Sequence, residues 1–217
     1  MRDCSVPTCA LTELIDVIKT RPRKQQTLLI GIDGCGASGK STFAQAITTN
    51  HPDTTIVHMD DFYRPSRERL PEHLIANLIG PDFDWLRLHD QVITPLSRDR
   101  EASYQKYDWD QDAMADWRSL PVGGTIIIEG IYSTRHELAP YYDFTCWIDC
   151  PRDLRLERGL ARDGENARMR WEKYWMPAED RYVELHKPDQ RADAHFNGSL
   201  ANNLVLFREV SRSNSSK

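Results

Sequence analysis

The chain has 217 residues and a formal charge of −5 at pH 7, with a pI near 5.8. That length suits one well-buried core better than two independent domains. The acidic balance excludes a global basic field for duplex nucleic acid, so small anionic ligands must be held by local charge.

In chain order, Leu11, Leu14, Ile15 and Ile18 recur at helical spacing after a short polar tail, with Thr8 or Thr12 as N-cap and Pro22 beyond the end. Thr27 to Asp33 is nearly all apolar, as a strand buried on both faces should be. It feeds Gly34-Cys35-Gly36-Ala37-Ser38-Gly39-Lys40-Ser41, which fits G-x-x-x-x-G-K-[ST] at every fixed position and runs into the helix-compatible Thr42 to Ile47. The glycines let backbone N–H groups converge on phosphate oxygens at a helix N-terminus. Gly34 to Thr42 are therefore expected to bind the nucleotide, with Lys40 reaching the β and γ phosphates of ATP and the Ser41 hydroxyl ligating Mg²⁺. Asp33 either touches that metal through water or braces the turn.

A second strand, Thr54 to Met59, ends in Asp60-Asp61-Phe62-Tyr63. Ligands of an open parallel sheet gather beyond the carboxyl ends of strands, so one of these acids is a candidate general base. The alternative is an Asp pair capping a following helix. From Pro71 to Trp117 the chain is polar and rich in aromatics, with one helix through Leu86, Leu88, Val92, Ile93 and Leu96 ending near Pro95. Phe83, Trp85, Tyr104, Tyr107, Trp109 and Trp117 form either a pocket for a flat ring or the core of a small β-rich lobe.

Thr125 to Ile128 is the third strand. It runs into Glu129, expected in the metal shell, and Gly130, expected to leave room for ligand. A fourth strand, Phe144 to Ile148, precedes a helix after Pro151 on which Arg155, Arg158 and Arg162 share one face. That face either clamps transferring phosphates or is solvated and paired with Asp153 and Glu157. Asp163-Gly164-Glu165-Asn166 breaks the helix, and a second one carries Trp171, Tyr174 and Trp175, as a mobile lid would. His186-Lys187-Pro188-Asp189 is discounted as a guanine-reading box because its first position is wrong. Ala192 to Phe196 and Leu204 to Phe207 read as a fifth strand and a short closing strand, and Ser211 to Lys217 as a polar tail. Cys4, Cys9, Cys35, Cys146 and Cys150 lack C-x-x-C spacing and read as reduced thiols. No apolar run approaches the roughly 20 residues of a membrane span, and the polar start lacks a signal peptide's apolar core. A soluble cytoplasmic protein is expected, with no membrane or nucleic-acid partner and with self-association left open.

In order along the chain stand Gly34 to Ser41, Asp60-Asp61-Phe62-Tyr63, Asp82-Phe83-Asp84-Trp85, Tyr107-Asp108-Trp109, Ile128-Glu129-Gly130, Arg155 to Asp163, and Ala192-Asp193 after a Pro. Together they resemble the uridine kinase and phosphoribulokinase branch of the phosphate-loop kinases, and more narrowly its bacterial uridine kinase-like members, over about Leu28 to Gly198. The resemblance implies an α/β, P-loop three-layer fold. Its mainly parallel five-stranded sheet would carry helices on both faces in one kinase domain: a core at 24–70 and 121–210, an acceptor-binding lobe at about 71–121 and a lid at about 152–177. It implies that Asp60 is the base, that Tyr63, Asp84 and Tyr107 hold a nucleoside acceptor, and that Arg158 and Arg162 belong to the lid. The pattern's His, a few residues after Y-D-[FW], is absent here, where Asp110-Gln111-Asp112-Ala113 follow. The expected reaction is transfer of the ATP γ-phosphoryl group to a nucleoside 5′-hydroxyl. A same-fold kinase of pantothenate, a sugar phosphate or a vitamin precursor is the first alternative, and a nucleotide-binding regulator without an acceptor the second.

Overall fold

The computed structural model describes residues 8–10, 16, 18–20, 22–71, 74, 78–199 and 204–206. Five parallel strands form its centre: β2 (Leu28–Asp33), β3 (Thr54–His58), β6 (Thr125–Glu129), β7 (Phe144–Asp149) and β8 (Ala194–Asn197). Two short strands, β1 (Thr8–Ala10) and β9 (Leu204–Leu206), extend the β8 edge by antiparallel pairing, giving the order β1-β9-β8-β7-β2-β6-β3. The expected core strands are thus present within a residue or two of their sequence limits. Thr8 corrects one expectation: it lies in β1 and caps no helix. Its three-residue strand carries no periodic signal, since only pairing with β9 makes it extended. Of the expected first helix, residues 16 and 18–20 are helical with Ile18 buried; Thr12, residues 11–15 and the tail from Ser211 lie outside the described residues.

β2 is buried along its whole length because both faces are covered. Leu28, Ile30 and Ile32 point into one layer with Ala44 and Ile47 of α1 (Lys40–Asn50), while Leu29 points into the other. Gly31 also faces that second layer, where a Cβ would stand 2.6 Å from Thr134 Cγ2. The second layer includes Leu88, Val92, Ile93 and Leu96 from α2 (Trp85–Leu88), which runs on through a π turn, His89–Ile93, into Thr94–Leu96. Tyr104 and Leu120 of the hairpin β4 (Ala102–Asp108) and β5 (Ala113–Leu120) join the same cluster, so the hairpin shares a core with the sheet.

After β7 the chain forms α3 (Arg152–Asp163), breaks at Gly164 with φ 86°, and resumes at Arg168–Arg170. It continues through a π turn, Trp171–Trp175, into α4 (Met176–His186). Both π turns precede a proline in the next helical turn, Pro95 and Pro177. A proline lacks the N–H for the i−4 carbonyl and its ring crowds that group, and a widened turn relieves both problems. This is why the α2 run passes through Pro95 to Leu96. Among the described residues no helix is long and apolar enough to cross a membrane. Cys35, Cys146 and Cys150 are free thiols.

Candidate active site

The phosphate-loop motif closes a turn between β2 and α1. Gly39, with φ 101°, starts the helix, and Gly34 has φ 155° where a Cβ would come within 2.7 Å of the Ile148 carbonyl oxygen. Asp33 braces this turn from below. Fully buried, its carboxylate accepts from Gly34 N (2.7 Å), Thr134 N (2.9 Å), Thr134 Oγ1 (2.8 Å) and the Tyr182 hydroxyl (2.6 Å). Of the two roles weighed for Asp33, the bracing one is therefore taken. The Ser38 hydroxyl is buried without a partner among the described residues. Lys40, the first residue of α1, turns its Nζ back to the Cys35 carbonyl at 2.9 Å. Burial pushes the Cys35 thiol up to about 12, so this loop cysteine is no nucleophile at neutral pH.

Glu129, at the end of β6, accepts from Ser41 Oγ at 3.0 Å, and its Oε1 lies 2.6 Å from His58 Nδ1. Burial pushes its carboxyl up, but the His58 bond, Lys40 and Ser41 more than offset that and hold it below its ordinary value. The Asp pair splits. Asp61 turns inward, accepting from Tyr104 OH at 3.2 Å and pairing with Lys106 at 3.2 Å. Asp60 opens into the cleft, and neither acid caps the following turn, Met59–Phe62. Desolvation by the cleft walls and then the Glu129 charge raise the Asp60 carboxyl, against Lys40 and Arg162. A Cβ on Gly130 would fall 2.3 Å from that of Met59, so packing against β3's end requires this glycine, although it also borders the cleft.

The cleft holds about 840 Å³ and brings together the loop residues Gly36, Ala37 and Gly39 to Thr42 with Asp60, Tyr63, Glu129, Arg158 and Arg162. Arg155 departs from its helical neighbours. Buried, it pairs with Glu179 Oε2 at 2.7 Å instead of Asp153 or Glu157, and Glu179 Oε1 accepts from Gly36 N at 2.9 Å. A Cβ on Gly36 would come within 2.7 Å of that oxygen and 2.9 Å of the Trp171 ring. Arg158 donates to the Gly198 carbonyl at 2.8 Å, and Arg162 pairs with Asp163 at 2.7 Å.

At the other end of the cleft, Tyr63 lies 4.7 Å from Trp109 and 5.0 Å from Phe83 between ring centres, with the Arg69 guanidinium 5.0 Å from its own ring centre. Its hydroxyl donates to Asp82 Oδ2 at 3.1 Å. Two expected acceptor contacts lie outside the cleft wall. Asp84 caps α2 through Arg87 N at 3.1 Å and pairs with Arg64 at 3.2 Å, and the Tyr107 hydroxyl donates to Asp112 at 2.6 Å. Asp112 stands in the segment Asp110-Gln111-Asp112-Ala113 that follows Tyr107-Asp108-Trp109. The spacing missed Arg69, Asp82, Arg170 and Glu179, which line the cleft. Only tertiary pairing exposes them, although Asp82 sits inside the quoted Asp82-Phe83-Asp84-Trp85 stretch.

The model of the phosphoribulokinase / uridine kinase family matches residues 29–184. Among curated proteins, the mouse protein named uridine-cytidine kinase-like 1 is 28% identical over 176 residues, 75% of this chain and 32% of that protein. A uridine kinase of Ureaplasma parvum is 26% identical over 185 residues, 78% of this chain and 88% of that one. The chain thus spans about a third of the mouse relative's length and most of the bacterial one's. The solved structure of a "possible uridine kinase" from Bacillus stearothermophilus superposes with a TM-score of 0.68 at 24% identity, covering 86% of this chain and 97% of that one, a likeness of fold.

Proposed function

The chain belongs to the phosphoribulokinase / uridine kinase family, and from that premise we propose that it transfers the γ-phosphoryl group of ATP to the 5′-hydroxyl of a nucleoside such as uridine or cytidine. The observation that carries this is the meeting, in one cleft, of the phosphate loop, the cleft-facing carboxylate Asp60 and the aromatic group around Tyr63. Phosphate fits the loop: the glycine cradle admits close backbone approach, and Lys40, which lines the cleft, offers a donor. Mg²⁺ fits Ser41 and Glu129, which present hard oxygens 3.0 Å apart, and when bound it neutralises charge on the phosphate oxygens.

The chain's own residues then divide the work. Lys40 leaves the Cys35 carbonyl to hold phosphate oxygens. Asp60 orients the acceptor hydroxyl and takes its proton, and Glu129 keeps Ser41 in place. Arg158 and Arg162, on a lid at about 152–177, stabilise charge and exclude water, while the stretch at about 71–121 receives the acceptor. No covalent intermediate is called for, so positioning and electrostatics supply the rate. ATP supply and free thiols suit a cytoplasmic enzyme acting on small molecules.

A coupled ADP-release assay across uridine, cytidine, adenosine, pantothenate and sugar phosphates tests the reading. ADP release that depends strictly on an added nucleoside, and that Lys40→Met abolishes, is the expected result. Turnover with pantothenate or a sugar phosphate alone would refute the nucleoside, and ADP release without any acceptor would refute the kinase.

A further inference from the structure

Two buried polar atoms at the acceptor end of the cleft have no partner among the described residues: Asp82 Oδ1, an acceptor, and Arg69 Nε, a donor. Both side chains border the cleft and both flank Tyr63, Asp82 through the Tyr63 hydroxyl and Arg69 over the ring. Buried polar groups are nearly always satisfied, so an unmatched acceptor and an unmatched donor, buried within two side chains that border one cavity, call for partners that an occupant can bring as those side chains adjust around it. The rest of each side chain is already fixed. Asp82 Oδ2 takes the Tyr63 hydroxyl at 3.1 Å, and Arg69 Nη2 donates to Asp112 Oδ1 at 3.1 Å and Tyr107 OH at 3.3 Å. Asp112 is held in turn by the Ser66 amide at 2.8 Å and the Ser66 hydroxyl. Beside them Trp109 is 57% exposed while still lining the cleft, which leaves a broad apolar face for a planar ligand.

We propose that Asp82 and Arg69 together read the edge of a planar ring on the acceptor, Asp82 Oδ1 accepting from a ring or exocyclic N–H and Arg69 Nε donating to the adjacent carbonyl or ring nitrogen. The ligand class is a heterocycle carrying a donor beside an acceptor, as the N–H and C=O of uracil or the amino group and ring nitrogen of cytosine do. Open-chain alcohols and sugar phosphates offer no such edge. The inference rests on the nucleoside reading above and assigns its ring recognition to a pair supported by Asp112, in the segment that lacks the family's His.

The test compares each nucleoside with a partner whose donor is blocked: uridine with N3-methyluridine, and cytidine with N4,N4-dimethylcytidine. Binding to the full-length chain is measured by calorimetry and turnover by ADP release. The wild-type chain should prefer the parent by at least about tenfold, because a site built around a hydrogen bond rejects the analogue lacking it. In Asp82→Ala that preference should collapse towards one, with the KM for ATP unchanged. Loss of packing alone would weaken parent and methylated analogue alike. If the alanine variant does not fold, the isosteric Asp82→Asn gives the same comparison with a reduced preference. Arg69→Lys should raise the KM for both parents about tenfold and leave the ATP KM in place. Nucleoside turnover with the methyl discrimination undiminished in Asp82→Ala would overturn this inference and leave the kinase standing. Failure of every nucleoside to bind or turn over would overturn both.

Discussion

Asp60 and Asp61 are adjacent and chemically identical, yet the fold gives them opposite duties. Asp61 is consumed by Tyr104 and Lys106, whereas Asp60 faces the cleft with its carboxyl raised by desolvation and by Glu129. Asp60→Asn should lower kcat by about a hundredfold or more while leaving ATP binding within a few-fold, measured by steady-state kinetics and nucleotide titration. If Asp60 is the base, as proposed, it works ionised, and kcat/KM for the acceptor should fall as pH drops through a value above the ordinary aspartate range. Because the Arg162 charge lowers Asp60, Arg162→Ala should move that acidic limb to higher pH still. Asp33 works by a different physics. Asp33→Ala would leave the Gly34 and Thr134 amides and the Tyr182 hydroxyl without their buried acceptor, at a cost of roughly 3 kcal/mol or more in urea denaturation. The motif residues could be read in advance because phosphate chemistry demands particular residue types at fixed spacing. Glu179 could not, since what makes it matter is its meeting with Gly36 and Arg155, 143 and 24 positions away.

The strands were the most legible elements: Leu28–Asp33 and Thr125–Glu129 are apolar runs buried on both faces. The helical face of α3 was legible in its spacing but not in its partners. Arg155, Arg158 and Arg162 do recur at helical intervals, yet Arg155 is spent on a buried pair with Glu179 and only the other two line the cleft. Periodicity reports which face a residue is on, and burial there is decided by whatever packs against it. Gly159 illustrates the same point. A Cβ there would lie 2.4 Å from the Trp171 ring, so α3 can accept the indole only with a glycine at this turn. Gly159→Ala should displace Trp171, lower the melting temperature by several degrees and slow turnover, whereas Gly164→Ala meets no neighbour and should act only through its positive φ. Near-equal melting temperatures for Gly159→Ala and wild type would show that the indole yields freely.

At the scale of the molecule, the seven-stranded sheet sets the phosphate-loop motif at one end of a single cleft, the aromatic group of Tyr63, Phe83 and the hairpin's Trp109 lines the other, and residues of the helices after β7 line it as well. Arg158→Ala and Arg162→Ala should each slow turnover by at least about tenfold while leaving the melting temperature within a few degrees of wild type. A collapsed melting temperature would mean that these arginines hold the fold instead. The α4 helix that returns from this excursion is riveted to the phosphate loop at two places one turn apart, Glu179 to the Gly36 amide and Tyr182 to the buried Asp33. Two buried hydrogen bonds one turn apart resist rotation of α4 about either one. On the proposed lid reading, with α3 also tied to α4 through the buried Arg155–Glu179 pair, any opening would pivot between the kink at Gly164 and the π turn Trp171–Trp175, and α4 would serve as the fixed jaw.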